Sequence, residues 1–584
     1  MIRRLAALLL PALLAACATP SQHAAGPAAI KLQILGFNDF HGNLEPPRQS
    51  VDAYTSAGER VRIPVGGAAW FASAIDRYRA TNPNTLVLSA GDMFGGSPIT
   101  SSLFLDEPTI EVMNRIGVDF NALGNHEFDR GRQEVMRMQK GGCAKHTVRE
   151  PCQIEKQFAG ANFPFLAANV VTEEGKTLFP ATGIRRFGKG RNRMTVGVIG
   201  LPLKDVPTLA SPSGLAGLDF REEADTVNAL IPGLRRQGAD VIVVVIHQGL
   251  YTTVGANDTS CGGVSGDLLK ILARLDSSVD LVVSGHTHWA YICDYGKIDP
   301  SRRFLVTSAG LWGEYLTDID LEYDPASRRI VSRSARNVPV QSEQYASTVG
   351  SVAVKPEFET FAPRPDIAAI VQRYVDAVRT QKLRPVGKVS ASADKPALAT
   401  NESRLGNLIA DSQLEAARPS GARFALMNNT GIRADLMAAA DGTVTFGAIY
   451  AVQPFANEIK VMTLNGSEVK AVLEQQLDDQ SFDQTFSPSA NLSYAFDKSR
   501  PLGERIFDIT IDGKPIDPQA SYRVAVNSFL ASGGDSFSVF RKGRDVVVAA
   551  QDLEAVEKWI AAVPVRELPP LGRVRDMTPR PPAN

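Results

Sequence analysis

The chain holds seven histidines in 584 residues, and five of them stand just past apolar, strand-like runs. They are His41 in Asn38-Asp39-Phe40-His41-Gly42, His126 in Gly124-Asn125-His126-Glu127, His247 after Val241–Ile246, and His286 and His288 in Gly285-His286-Thr287-His288. Asp92 follows another such run, in Ser89-Ala90-Gly91-Asp92. Imidazoles and carboxylates without thiolate are a ligand set for divalent zinc, manganese, cobalt or iron. Paired ions of this kind clamp phosphate oxygens and acidify a bound water, which is the chemistry of phosphoester hydrolysis. Asp39-x-His41 is expected to lie on one side of an extended segment, as a shared metal needs. Each piece alone is commonplace, since a Gly-Asp or Gly-Asn-His is usually a turn. The ordered set D-x-H, G-D, G-N-H-E, H, G-H-x-H carries the argument.

Residues so far apart in sequence need a scaffold that gathers them. In open α/β folds, groups at the carboxyl ends of strands converge on one crevice. Runs at Lys31–Phe37, Thr85–Ser89, Met194–Ile199, Val241–Ile246, Leu281–Ser284 and Phe304–Thr307 read as buried strands, and the stretches between them as covering helices. Ile367, Ile370, Val371, Tyr374, Val375 and Val378 recur at helical spacing. Prolines at 363, 365 and 385 flank them, which marks a linker helix between two halves.

The order of motifs resembles the calcineurin-like metallophosphoesterases across the whole N-terminal half. That resemblance implies an α/β (α+β) fold, a four-layer αββα sandwich, followed here by a second mixed α/β domain. It also implies two divalent ions sharing one aspartate. Asp39, His41, Asp92 and His288 would hold one ion; Asp92, Asn125, His247 and His286 would hold the other. His126 would act on phosphate and leaving group, and Asp129 would orient it. A carboxylate at 129 also suits a helix cap. Related nucleotidases differ at the position of His288, which leaves the identity of the metal open.

The C-terminal half resembles the 5'-nucleotidase C-terminal domain in Ser403-Arg404-Leu405-Gly406-Asn407-Leu408, Asn428-Asn429-Thr430-Gly431-Ile432-Arg433, Gln453-Pro454-Phe455-Ala456-Asn457 and Phe529-Leu530-Ala531-Ser532-Gly533-Gly534-Asp535. By that similarity Phe455 and Phe529 sandwich a nucleobase and Asn428 meets its edge. Asp535 would take the ribose, and Arg433, with Arg404 as a weaker candidate, the phosphates. Phe529 alternates with Asn527 and Ala525 as though in a strand. Arg433 has a rival partner in Asp435, and Gly533-Gly534 also suits a plain tight turn.

The remaining features set compartment and boundaries. Arg3 and Arg4 precede the apolar run Leu5–Leu14, too short to span a bilayer as a permanent helix. Leu14-Ala15-Ala16-Cys17 then reads as an export signal of lipoprotein type, acylated at Cys17, with residues 18–29 as a tether. Four cysteines are left, and an oxidising compartment permits bridges. Three pairings are open; proximity favours Cys143–Cys152, which leaves Cys261–Cys293. A net charge of −1 gives no hint of a basic nucleic-acid footprint, so an anionic substrate must be met locally. The expected partner is therefore a nucleotide or nucleotide-derived small molecule. Membrane contact would come only through the lipid. The expected division is signal 1–17, tether 18–29, metallophosphoesterase domain 30–341, linker 342–382, substrate domain 383–563, and a loosely held tail 564–584. Activity on UDP-sugars or 2',3'-cyclic nucleotides, or nucleotide binding without turnover, are the alternatives to a 5'-nucleotidase.

Overall fold

A computed structural model of the protein describes residues 29–579, apart from 56–58, 148, 191–192, 211, 348–349, 396–401, 456 and 479–484. The expected signal, Cys17 and the expected tether up to residue 28 lie outside the described residues.

The N-terminal half is two six-stranded sheets laid face to face. The first runs Arg329–Pro339, Tyr315–Asp324, Ile30–Phe37, Thr85–Ser89, Phe120–Ala122, Phe165–Leu166. The second runs Ala290–Asp294, Leu305–Ala309, Leu281–Ser284, Val241–His247, Met194–Pro202, Thr182–Phe187. Between them Leu32, Ile34, Leu86 and Leu88 meet Val196, Val198, Val243, Val245 and Val283 in one apolar layer. Val241–His247 is buried at every residue, as a central strand covered on both faces requires. Helices Ala68–Arg79, Glu107–Ile116 and Gly131–Lys140 pack outside the first sheet, and Glu223–Arg236 and Leu268–Leu272 outside the second. The four layers are thus the αββα order that the motif resemblance implies.

The site follows from strand direction. Ile30–Phe37, Thr85–Ser89 and Phe120–Ala122 are mutually parallel, as are Val241–His247 and Leu281–Ser284. Their carboxyl ends deliver Asp39, Asp92, Asn125, His247 and His286 to the same rim.

The linker helix spans Pro365–Leu383. Its apolar stripe, Ile367, Ile370, Tyr374 and Val378, belongs to the core over the first sheet rather than to a free connector. At its end Lys382 pairs with Glu45 of the N-terminal half at 2.8 Å, whereas Arg384 donates to Glu557 of the C-terminal half. Leu383, between the two anchors, is exposed.

The C-terminal half has a five-stranded sheet, Phe486–Pro488, Phe424–Asn428, Ser521–Asn527, Glu458–Asn465, Arg544–Gln551, and a four-stranded one. Its tail, expected to be loosely held, is docked as far as Asp576. Val574–Asp576 adds in parallel to Leu492–Phe496, and the Glu402 carboxylate accepts the Gly572 and Arg573 amides at 2.8 and 3.1 Å. Arg573 also grips Asp411 with both terminal nitrogens, at 2.9 and 2.8 Å. Proline-rich composition hides this, because three strand residues and one fork-to-carboxylate pair suffice to dock the segment. Both disulfides, Cys143–Cys152 and Cys261–Cys293, are formed as proximity favoured.

Candidate functional site

Asp39 and His41 do not converge through an extended strand. Both lie beyond the end of Ile30–Phe37 with left-handed backbone, φ 50° and 46°, and alternate in-and-out geometry therefore does not apply. Asp92, His286 and His288 are also left-handed, at 48°, 73° and 61°. Non-glycine residues rarely adopt this region, and a group of them held by a rigid scaffold marks stored strain at a functional site. The preceding glycines matter for a second reason. A Cβ on Gly124 would press on the Asp92 carboxylate, and one on Gly285 would lie 2.9 Å from Asp39 Oδ2. Only bare backbone lets the loops close this tightly.

Two clusters share Asp92. In one, His288 Nε2 sits 3.4 Å from Asp39 Oδ1 and 3.2 Å from His41 Nε2, with Asp92 Oδ2 3.7 Å from His41. In the other, His247 Nε2 is 3.1 Å from both Asp92 Oδ2 and Asn125 Oδ1, and the His286 ring lies 5.2 Å from that of His247. His41 Nδ1 donates to the Gly95 carbonyl and His247 Nδ1 to the Ala90 carbonyl, each at 2.8 Å. Those bonds occupy Nδ1 and turn the Nε2 atoms inward. Asp39 Oδ1 is buried without any hydrogen-bond partner. Facing ring nitrogens beside an orphaned carboxylate oxygen form a cradle of acceptors that a divalent cation fits.

The charges agree. Burial opposes ionisation of Asp39, yet His288 and the charge of His247 hold its carboxyl at about 2. Burial likewise opposes charging His247, but Asp92 pushes it up to about 10. Burial instead holds His286 down at about 3 and keeps His41 and His288 below the usual imidazole range.

His126 stands beside this cradle on a short 3-10 turn. Its Nδ1 is 3.0 Å from both Asp129 oxygens, and Asp129 Oδ2 also accepts the Gly96 amide. Burial works against a charged imidazole there, but Asp129 and Asp92 outweigh it and raise its pKa. Its backbone N–H donates to Asp92 Oδ1 at 2.8 Å, so chain and side chain serve both parts of the site.

Two residues with clear work escaped sequence reasoning. Glu127 accepts the Asp92 and Met93 amides at 2.9 and 2.8 Å and that of Gly124 at 2.6 Å, joining the loops that carry Asp92 and Asn125. Asn38 donates to Asp39 Oδ2 and the Gly310 carbonyl, both at 2.7 Å, and accepts the Ala309 amide. The available signal was a polar side chain directly flanking a ligand-type residue where an apolar strand ends.

The C-terminal residues are gathered less uniformly. Arg433 lies near enough for its charge to depress His41 and His288, after the larger effect of burial. Its guanidinium sits 5.7 Å from the Phe455 ring centre, while Asp435 instead accepts the Lys395 amide. Asn428 is buried; it donates to Thr430 and Asp535 at 2.7 and 2.8 Å and accepts from Asn527 at 2.9 Å. Its amide protons therefore hold Asp535 rather than stand open to a base. Phe529 is not in a strand: Ser521–Asn527 ends at Asn527, whose side chain caps the helix Ser528–Ala531. Asn457 accepts from Ser528 at 3.1 Å, tying the Phe455 and Phe529 segments together. Phe455 lies flat on His126, with ring centres 5.7 Å apart and planes at 10°. Arg404 is the residue the fold does not deliver. It opens the helix Arg404–Ala417, and its guanidinium donates to the Leu568 and Pro569 carbonyls, both at 3.2 Å.

This layered fold with its shared-aspartate cradle defines a metallophosphoesterase, a class that works with divalent metals. Residues 32–290 match the calcineurin-like phosphoesterase family and residues 385–542 the 5'-nucleotidase C-terminal domain. The chain belongs to the 5'-nucleotidase family and is a phosphoester hydrolase. It is 30% identical over 555 residues to cell wall protein Lmo0130 of Listeria monocytogenes, covering 91% of this chain and 67% of that one. It is 28% identical to the 5'-nucleotidase of Vibrio vulnificus, covering 90% and 89%. Its fold superimposes on the 5'-nucleotidase precursor of Thermus thermophilus with TM-score 0.71 at 25% identity, over 94% and 99% of the two chains. The chain spans only 40% of another curated relative, 29% identical to it.

Proposed function

We propose that the protein is an exported 5'-nucleotidase that removes phosphate from nucleotides with two divalent ions. One would be held by Asp39, His41, Asp92 and His288, the other by Asp92, Asn125, His247 and His286. Zinc, manganese, cobalt or iron suits such nitrogen and oxygen donors. Bound there, the ions would neutralise phosphate charge and supply a water ionised near neutral pH. The observation that carries the reading is the orphaned Asp39 oxygen among inward-turned ring nitrogens.

The chain's own groups do the rest. Asp129 engages His126 Nδ1 and leaves Nε2 to meet the leaving oxygen as a proton donor. Arg433 offers a fixed positive charge to phosphate beside the cradle. Phe455 and Phe529 supply stacking faces for the base, and Asp535, held by Asn428 and Thr430, presents a carboxylate to ribose hydroxyls. Binding energy from base and ribose then serves to position the phosphate. Export rests on the charged start, the short apolar run and Cys17; among the described residues no helix is long and apolar enough to cross a membrane.

The test is phosphate release from AMP by purified protein supplied with manganese, with a chelator as control. Chelator-sensitive release is expected. Metal-loaded protein that binds AMP without releasing phosphate would reduce the reading to a nucleotide-binding module. UDP-glucose and 2',3'-cyclic nucleotides in the same assay rank the alternatives.

A further inference from the structure

The two phenylalanines that resemblance pairs as a base sandwich are not equivalent. The Phe529 ring packs over Gly534 on its own side of the molecule. Phe455 instead crosses to the N-terminal half and lies over the His126 imidazole, 5.7 Å between centres and 10° from parallel, an offset-stacked arrangement. Gly96 borders the same space: a Cβ there would lie in ordinary contact with Phe455 at 3.5 Å and with both His126 and His41 at 3.6 Å. Asp129 holds His126 at Nδ1, and the His41 ring meets it edge-on with 5.0 Å between centres. One hydrogen-bonded ring atom and one edge contact leave a face of the imidazole for Phe455 to restrain. A flat aromatic neighbour stacked beside that face limits the ring's tilt.

We propose that Phe455 is a positioning residue for His126, so that a side chain of the C-terminal half orients the catalytic imidazole whatever leaving group is bound. The inference rests on the reading of His126 as the proton donor. It goes beyond base recognition, because it requires Phe455 for substrates that carry no base.

The experiment measures kcat and KM of metal-loaded, full-length protein on AMP and on an aryl phosphate ester without a base. The variants are Phe455→Ala, Phe455→Leu, Phe455→Tyr, Phe529→Ala and His126→Gln. On the base-free ester, kcat is expected to fall about three- to tenfold in Phe455→Ala and Phe455→Leu, the range a lost aromatic pair represents. KM and metal content should hold, Phe455→Tyr should restore the rate, and Phe529→Ala should lose less than Phe455→Ala. Wild-type kcat in Phe455→Leu overturns the proposal, since bulk without a ring face would then suffice. Failure of the underlying readings shows elsewhere. Full activity in His126→Gln removes the proton-donor role and the inference with it. An unchanged AMP-to-ester ratio in both alanine variants removes base stacking and leaves the inference standing.

Discussion

The proposed metal cradle and the proposed nucleotide surface are built on different plans. Asp39, His41, Asp92 and His247 are buried to 1% exposure or less, and the left-handed residues among them are pinned by neighbouring backbone. Asp39 N–H donates to the Gly91 carbonyl and His41 N–H to that of Asp92, so each strained loop braces the next. Arg433, Phe455 and Phe529 are half-buried and sit on loops or a one-turn helix, although Asn428 and Asp535 are buried and, in the cradle, His286 and His288 are half-buried. The contrast follows from what each region must do. Stabilising charge in a transition state calls for groups that need no reorganisation, and two packed sheets can bear the strain of placing them. Recognising a base calls for faces that can part to admit it.

If the cradle is one prebuilt unit, its shared carboxylate should be the costliest group to lose. Asp92→Ala is expected to abolish nearly all turnover and most bound metal, measured as rate alongside metal content by mass spectrometry. A variant that keeps two ions and normal rate would dissolve the distinction between the regions. His126→Gln comes next. It should lower kcat by about a hundredfold or more, the usual contribution of a positioned acid, with metal content unchanged. Metal lost together with rate would instead make His126 a ligand, a reading its closeness to His41 and Asp92 keeps worth testing.

Glu127→Gln sharpens the comparison from within the cradle. The glutamate carboxylate accepts three backbone amides, whereas a glutamine would set N–H against N–H at one of them. Outer partners of this kind are typically worth about ten- to a hundredfold in metal affinity. Chelator titration should show weaker retention with the fold intact by circular dichroism; wild-type retention would mean that the paired sheets alone hold the loops.

What the sequence made legible followed the same divide. Strands such as Val241–His247 announce themselves by unbroken branched apolar residues, and direction then assigns the residues at their ends to one rim. The left-handed turns at Asp39 and His41 were not legible, because local pattern cannot distinguish an extended D-x-H from two αL residues until Gly91 and Trp312 are known to pack there. The C-terminal half was harder. Phe529 mimics strand alternation up to Asn527, where a side-chain cap starts a helix instead. The Phe455–His126 stack joins residues 329 positions apart and has no local signal at all.

The smallest expected effect is the most discriminating about the second region. Motif resemblance counts Arg404 with the phosphate contacts, but its guanidinium is committed to the Leu568 and Pro569 carbonyls at the helix start. An exposed donor of this kind contributes modestly to stability, about 1 kcal/mol or less. Arg404→Ala should therefore leave kcat/KM for AMP within about twofold of wild type, a change below about 0.5 kcal/mol. Hydrogen exchange should quicken between Leu568 and Asp576, because one of the tail's ties is gone while the Glu402 and Arg573 ties remain. A tenfold rise in KM for AMP with an unchanged tail would return Arg404 to the nucleotide. It would also show that the domain arrangement seen here turns this side chain away from where it works.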